Sequence, residues 1–114
     1  MAEIKRKVSL INESHHEQIN YTAMTDAIGF AFEIMDFVLS ENDGVRLYVL
    51  SPSGALSYTI GEIDLAGNQL LFSVPTGFFP ESGYSYGQIR IIRDGARLYS
   101  NQIKFNIHPY HGGA

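Results

Sequence analysis

Turn signals recur at near-regular intervals through the second half of this 114-residue chain. Asn42-Asp43-Gly44, Ser51-Pro52-Ser53-Gly54, Ala66-Gly67-Asn68, Pro80-Glu81-Ser82-Gly83 and Asp94-Gly95 separate short stretches rich in Val, Ile, Leu, Phe and Tyr. Turns about 8–12 residues apart leave room for a short strand but not for a capped helix of several turns. The spacing predicts an all-β fold, a small antiparallel β-sandwich or barrel of about seven or eight strands. Function must then lie on its surface.

Period-two patterning places the strands. Lys5–Ile11 reads as the first, Ile19–Met24 as a short second, and Ile28–Asp36 as a third with Ile28, Phe30, Phe32 and Ile34 on one face. Val45–Leu50, Leu56–Gly61, Ile63–Leu65 and Gln69–Val74 follow. In Ser51-Pro52-Ser53-Gly54, Pro and Gly hold the second and fourth positions, the type I preference.

The last hairpin, Tyr84–Arg93 and Ala96–Ile107 around Asp94-Gly95, carries an internal conflict. A two-residue loop sets Ile91 opposite Leu98 on the inward face. Ile103, Phe105 and Ile107 have the opposite parity to Leu98, and one face of a strand holds only every second residue. One extra residue between Tyr99 and Gln102, with Asn101 a natural occupant, reconciles them as a β-bulge or a switch of sheet. Residues 1–108 are read as one domain, and 109–114, with Pro109 and Gly112-Gly113, as a tail or linker onset.

Charge and composition exclude several functions. The net charge of −4 combines ten acids against Arg46 alone in residues 11–81 with a basic balance in the flanks. An acidic domain argues against nucleic acid as a partner. No stretch reaches the roughly 18 apolar residues of a membrane span, and no apolar run follows the charged N-terminus, so the chain reads as cytosolically synthesised without a signal peptide. With no cysteine, disulfides and thiolate zinc sites are impossible.

Catalytic constellations are weak. Ser14-His15 lacks the geometry of a nucleophilic pair, and His15-His16 is a pair on a polar loop. His108-x-x-His111 has a spacing that metal ligands sometimes use, but on a strand end broken by Pro109 it does not bring both imidazoles onto one helical face. The carboxylate pairs Glu33/Asp36, Glu41/Asp43 and Glu62/Asp64 can be put into acid–base schemes. The latter two sit by turns, where acids serve solvation and local hydrogen bonding. No phosphate loop is present. The expectation is a non-enzyme with no cofactor and no metal.

The aromatics point elsewhere. Tyr84 and Tyr86 share parity with Gln88 and Arg90, opposite to Ile89 and Ile91, and Tyr48 points outward by the same logic. A stripe of Tyr84, Tyr86 and Arg90, with Lys104 across the hairpin, has the composition of a protein-binding surface. Ordinary cross-strand tyrosine pairing on a solvated face is the alternative. Phe78-Phe79 reads as a plug for the sandwich end.

Several segments in order bear a resemblance: Phe30-Ala31-Phe32-Glu33-Ile34-Met35-Asp36, Tyr48-Val49-Leu50-Ser51-Pro52-Ser53-Gly54, Gly67-Asn68-Gln69-Leu70, Ser82-Gly83-Tyr84-Ser85-Tyr86-Gly87-Gln88-Ile89-Arg90-Ile91, Asp94-Gly95-Ala96-Arg97-Leu98-Tyr99-Ser100 and Phe105-Asn106-Ile107. Over about residues 5–108 the chain resembles the N-terminal domain of the baseplate upper proteins of tailed phages infecting Gram-positive bacteria. The resemblance implies an immunoglobulin-like antiparallel β-sandwich that serves as a structural module in the virion, at the tail baseplate. It would attach peripheral host-recognition parts to other baseplate or tail proteins, in several copies that form a homo-oligomer of the assembled particle. A carbohydrate-binding module contacting host cell-wall saccharide would use the same exposed tyrosines.

Overall fold

The computed structural model describes residues 3–10, 17–22, 28–75, 78, 79 and 81–108, with only the backbone at residues 3, 21, 22 and 28. The expected tail 109–114 and residues Ser14, His15 and His16 lie outside the described residues. Ten strands form two packed sheets, and no helix occurs among the described residues. In chain order they are β1 (Glu3–Val8), β2 (Glu17–Thr22), β3 (Ile28–Ile34), β4 (Gly44–Leu50), β5 (Leu56–Ile60), β6 (Glu62–Asp64), β7 (Gln69–Val74), β8 (Gly83–Arg93), β9 (Ala96–Tyr99) and β10 (Ile103–His108).

The four-stranded sheet has the order β1-β3-β7-β6. The six-stranded sheet has the order β2-β10-β8-β4-β5, with β9 continuing the β10 side of β8. Neither sheet is purely antiparallel, contrary to the expectation from the turn spacing. β1 runs parallel to β3, and β2 parallel to β10. The chain goes from β1 into β2 in the opposite sheet and back to β3, so β3 returns beside β1 in the same direction, the crossover being a strand instead of a helix.

The core is the interdigitated inner faces. Phe30, Phe32, Leu70 and Phe72 come from one sheet, and Ile19, Leu47, Ile89, Ile91, Ile103, Phe105 and Ile107 from the other, all essentially inaccessible. Phe30 meets Phe105 edge-on at 5.6 Å, linking the sheets. Phe78 and Phe79 are buried, with Phe79 at 5.2 Å from Phe105, as expected of a plug. Gly87 is required here, because a Cβ would come within 2.5 Å of the Phe105 ring.

The terminal hairpin resolves its parity conflict with one extra residue. Arg93 faces Ala96 and Ile91 faces Leu98, and Asp94 (φ 50°) and Gly95 (φ 80°) make the type I′ turn. Beyond Arg90–Tyr99 the ladder resumes at Gly87–Ile103, so Gln88 and Ile89 face Ser100, Asn101 and Gln102. The disruption is a bulge, since β9 and β10 stay on the same edge of β8. Buried Ser100 stabilises it: its Oγ accepts the Ile89 N–H at 2.9 Å and donates to the Asn101 carbonyl at 2.9 Å. Ile103, Phe105 and Ile107 are buried as expected, while Leu98, near the hairpin tip, is only half-buried.

The segment 35–43 closes one end through polar contacts. Asn68, at φ 48°, accepts the Leu39 N–H on Oδ1 and donates Nδ2 to the Ile34 and Phe37 carbonyls at 2.9 and 2.8 Å. Arg93 forks onto buried Asp43 at 2.7 and 2.6 Å, donates to the Val38 carbonyl at 2.8 Å and lies over the Phe37 ring. Asp36 accepts the Leu10 N–H at 2.8 Å and the Ser9 hydroxyl.

Candidate docking surface

β8 lies at the middle of the six-stranded sheet and sets the parity of its outer face. Ser85, Gly87, Ile89 and Ile91 turn inward and are buried, so Tyr84, Tyr86, Gln88 and Arg90 turn outward. Register carries this parity across the sheet. Lys104 faces Tyr86, Leu50 also faces Tyr86, Tyr48 faces Gln88, and Arg46 faces Arg90. On the far side Leu56, Tyr58 and Ile60 face Leu50, Tyr48 and Arg46. Tyr99 and Arg97, opposite Arg90 and Ile92, extend the face along β9.

The residues singled out from sequence all lie on this face, but their partners differ from a simple stripe. Tyr84 and Tyr86 are exposed, at 45% and 38%. The Lys104 ammonium sits 4.0 Å from the Tyr84 ring centre, diagonal to its registered neighbour Tyr86. Arg90 instead lies over Tyr48, at 5.2 Å, while Arg46 lies over Tyr58 at 4.8 Å. Tyr48 and Tyr58 pack at 5.8 Å, and Arg46 Nη1 donates to the Tyr48 hydroxyl at 3.4 Å. Two arginines directly opposite each other should repel. Each is settled on a tyrosine ring, whose negative face attracts a cation. Arg90 Nε is buried with no hydrogen-bond partner among the described residues, so stacking holds that side chain.

The relief is shallow. Tyr86 separates two depressions, one lined by Tyr48, Leu50, Leu56, Gln88 and Gln102, the other by Glu17, Gln18, Gln102 and Lys104. Arg46, Arg90, Arg97 and Lys104 give the face four bases. Among the described residues no acid projects from it, and Glu17 at its rim is engaged by Arg6 at 3.7 Å. The opposite sheet's outer side carries Glu33, Glu62 and Asp64 beside Lys5 and Lys7. A chain that is acidic overall thus has one aromatic, cationic side.

The expected strand Leu56–Gly61 is present as β5, but its contribution to this face is not among the residues singled out from sequence. Leu56, Tyr58 and Ile60 alternate as a core face would, yet they point outward, because the Ser51–Gly54 hairpin registers Tyr58 with Tyr48. That register was the available signal.

Of the carboxylates paired in the sequence, Glu33, Asp36, Asp43 and Asp64 have structural partners. Arg93 holds the Asp43 carboxyl below the usual carboxylate range, and the Gln69 amide at 2.8 Å does the same for Asp64. Among the described residues no cluster of His, Asp and Glu could hold a metal ion.

No protein-family model matches the chain, and no curated protein sequence matches it. Its fold is similar to a solved structure, the N-terminal domain of phage TP901-1 ORF48, with a TM-score of 0.66 and 8% identity. The match covers 95% of this chain and 99% of that one.

Proposed function

We propose that this chain is a non-catalytic docking module of a tailed-phage baseplate, and that the outer face of the six-stranded sheet binds another baseplate or tail protein. The observation that carries the reading is that face: five exposed or half-exposed tyrosines with four bases on one rigid sheet. Tyrosine and arginine concentrate binding energy at protein interfaces, and stacking pre-orders these side chains before a partner arrives. Likeness of fold over nearly the whole chain to a phage domain supports the setting. In that setting the module resides in the virion, in several copies, and links peripheral host-recognition parts to the baseplate core. The net positive face calls for an acidic partner surface.

Calorimetric titration of the domain into the baseplate proteins encoded beside it tests this. Tyr86→Ala and Arg90→Ala should each weaken binding by roughly tenfold or more with folding intact. Unchanged affinity in both variants would move the docking face elsewhere. Binding to host cell-wall saccharide that Tyr84→Ala abolishes would replace the proposal with a carbohydrate-binding function.

A further inference from the structure

The free edges of the two sheets are not alike. β1 carries Lys5, Arg6 and Lys7, with Arg6 at an inward register position tied to Glu17. β2 presents Glu17, Gln18 and Asn20, and β6 presents Glu62 and Asp64. Charges, above all inward-pointing ones, are the usual means by which sheet edges avoid pairing with other chains. β5 reads Leu-Ser-Tyr-Thr-Ile, with no charge, proline or glycine.

Its backbone is set up for pairing. Ser51 N–H donates to the Ala55 carbonyl at 2.8 Å and Gly61 N–H to the Val45 carbonyl at 3.1 Å, bracketing the strand at odd-numbered positions. By alternation Ser57 and Thr59 turn their peptide groups toward β4, and Leu56, Tyr58 and Ile60 turn theirs away from the sheet. These residues also bear the exposed side chains, at 66%, 55% and 67%.

We infer that β5 pairs with β5 of a second copy of this chain, antiparallel and centred on Tyr58, joining two six-stranded sheets edge to edge. The strand is self-complementary in that register. Tyr58 meets its own counterpart, Leu56 meets the partner copy's Ile60, and each of the three exchanges both outward peptide groups with its opposite. The outer faces then lie side by side, which keeps their cations from confronting one another and doubles the aromatic platform. This pairing does not depend on the docking function proposed above. A ladder of five residues is small beside the roughly 1,600 Å² of a standard interface, so the dimer is expected to be weak and reversible.

Sedimentation equilibrium from micromolar to millimolar protein tests it. The wild-type chain should pass from monomer to dimer. Ile60→Lys should weaken dimerisation at least tenfold, while Leu65→Lys, exposed but off the strand, should not. Because the chain has no cysteine, Tyr58→Cys reports register independently. Hydrogen-bonded opposites lie about 5.5 Å apart between Cα atoms, within disulfide reach. It should oxidise to a covalent dimer much faster than Leu65→Cys. A monomer at millimolar concentration would overturn the inference. So would a dimer indifferent to Ile60→Lys whose Tyr58→Cys form cross-links no faster than the control.

Discussion

Replacing Asn68, half-buried in its turn, by alanine should remove more stability than any other single turn substitution among the described residues. Its amide satisfies the Leu39 N–H and the Ile34 and Phe37 carbonyls, and its backbone sits at φ 48°. Each hydrogen bond is worth about 1 kcal/mol net, and more where its partner is left buried without water. A non-glycine residue lacking a short polar side chain pays a further ~1–2 kcal/mol in the left-handed region. Asn68→Ala should therefore cost about 4 kcal/mol, a large share of the roughly 5–15 kcal/mol that holds a domain together. Asn68→Gly loses the same bonds but accepts the backbone, so it should cost about 3 kcal/mol. Urea unfolding followed by far-ultraviolet circular dichroism measures both, with unchanged m-values as the check on two-state behaviour. If both variants fall within 1 kcal/mol of wild type, the amide is not what closes that end of the sandwich.

Ser100→Ala orphans the Ile89 N–H in the bulge and should cost about 1–3 kcal/mol by thermal or chemical unfolding. Deleting Asn101 should do worse, abolishing the folded state by turning Ile103, Phe105 and Ile107 to the wrong face. Gly87→Ala should destabilise by about 1–3 kcal/mol through collision with Phe105. Gly44→Ala, whose Cβ would meet nothing closer than 3.9 Å, should be tolerated. Arg93 lowers the Asp43 pKa on folding, so this pair stabilises the fold above the unfolded carboxylate pKa, and the contribution disappears as pH falls through the lower folded value. The stability gap between wild type and Arg93→Ala, followed by pH-dependent unfolding, should be constant near neutrality and narrow in acid to the part that the Val38 and Phe37 contacts supply.

Alternation and turn chemistry made much of this fold readable. The Ile89/Ile91 parity set against Ile103/Phe105/Ile107 was enough to require an inserted residue between Tyr99 and Gln102, and the outward direction of Tyr84 and Tyr86 followed from the same count. What stayed hidden depends on contacts distant in sequence. Nothing near Lys5 indicates a parallel partner at Ala31, and nothing near Asp43 names Arg93. Arg90 is legible as outward-facing, but its seat on Tyr48 depends on the lateral β4–β8 register. Tyr58 went unnoticed because Leu56, Tyr58 and Ile60 have the alternation of a buried face and the exposure of a free one.

The parallel pairing of β2 with β10 has a consequence for synthesis. Glu17 finds its neighbour at Ile103, so the six-stranded sheet cannot be completed until β10 has left the ribosome. The β3–β7 and β4–β8 ladders can form earlier on the emerging chain, while β2 waits as an unpaired segment. Closing so long a loop is entropically costly, which places refolding in the slow regime of non-local β topologies, roughly milliseconds to seconds. A nascent chain stalled before residue 103 should hold β3 and β7 against proteolysis and leave residues 17–22 open to cleavage.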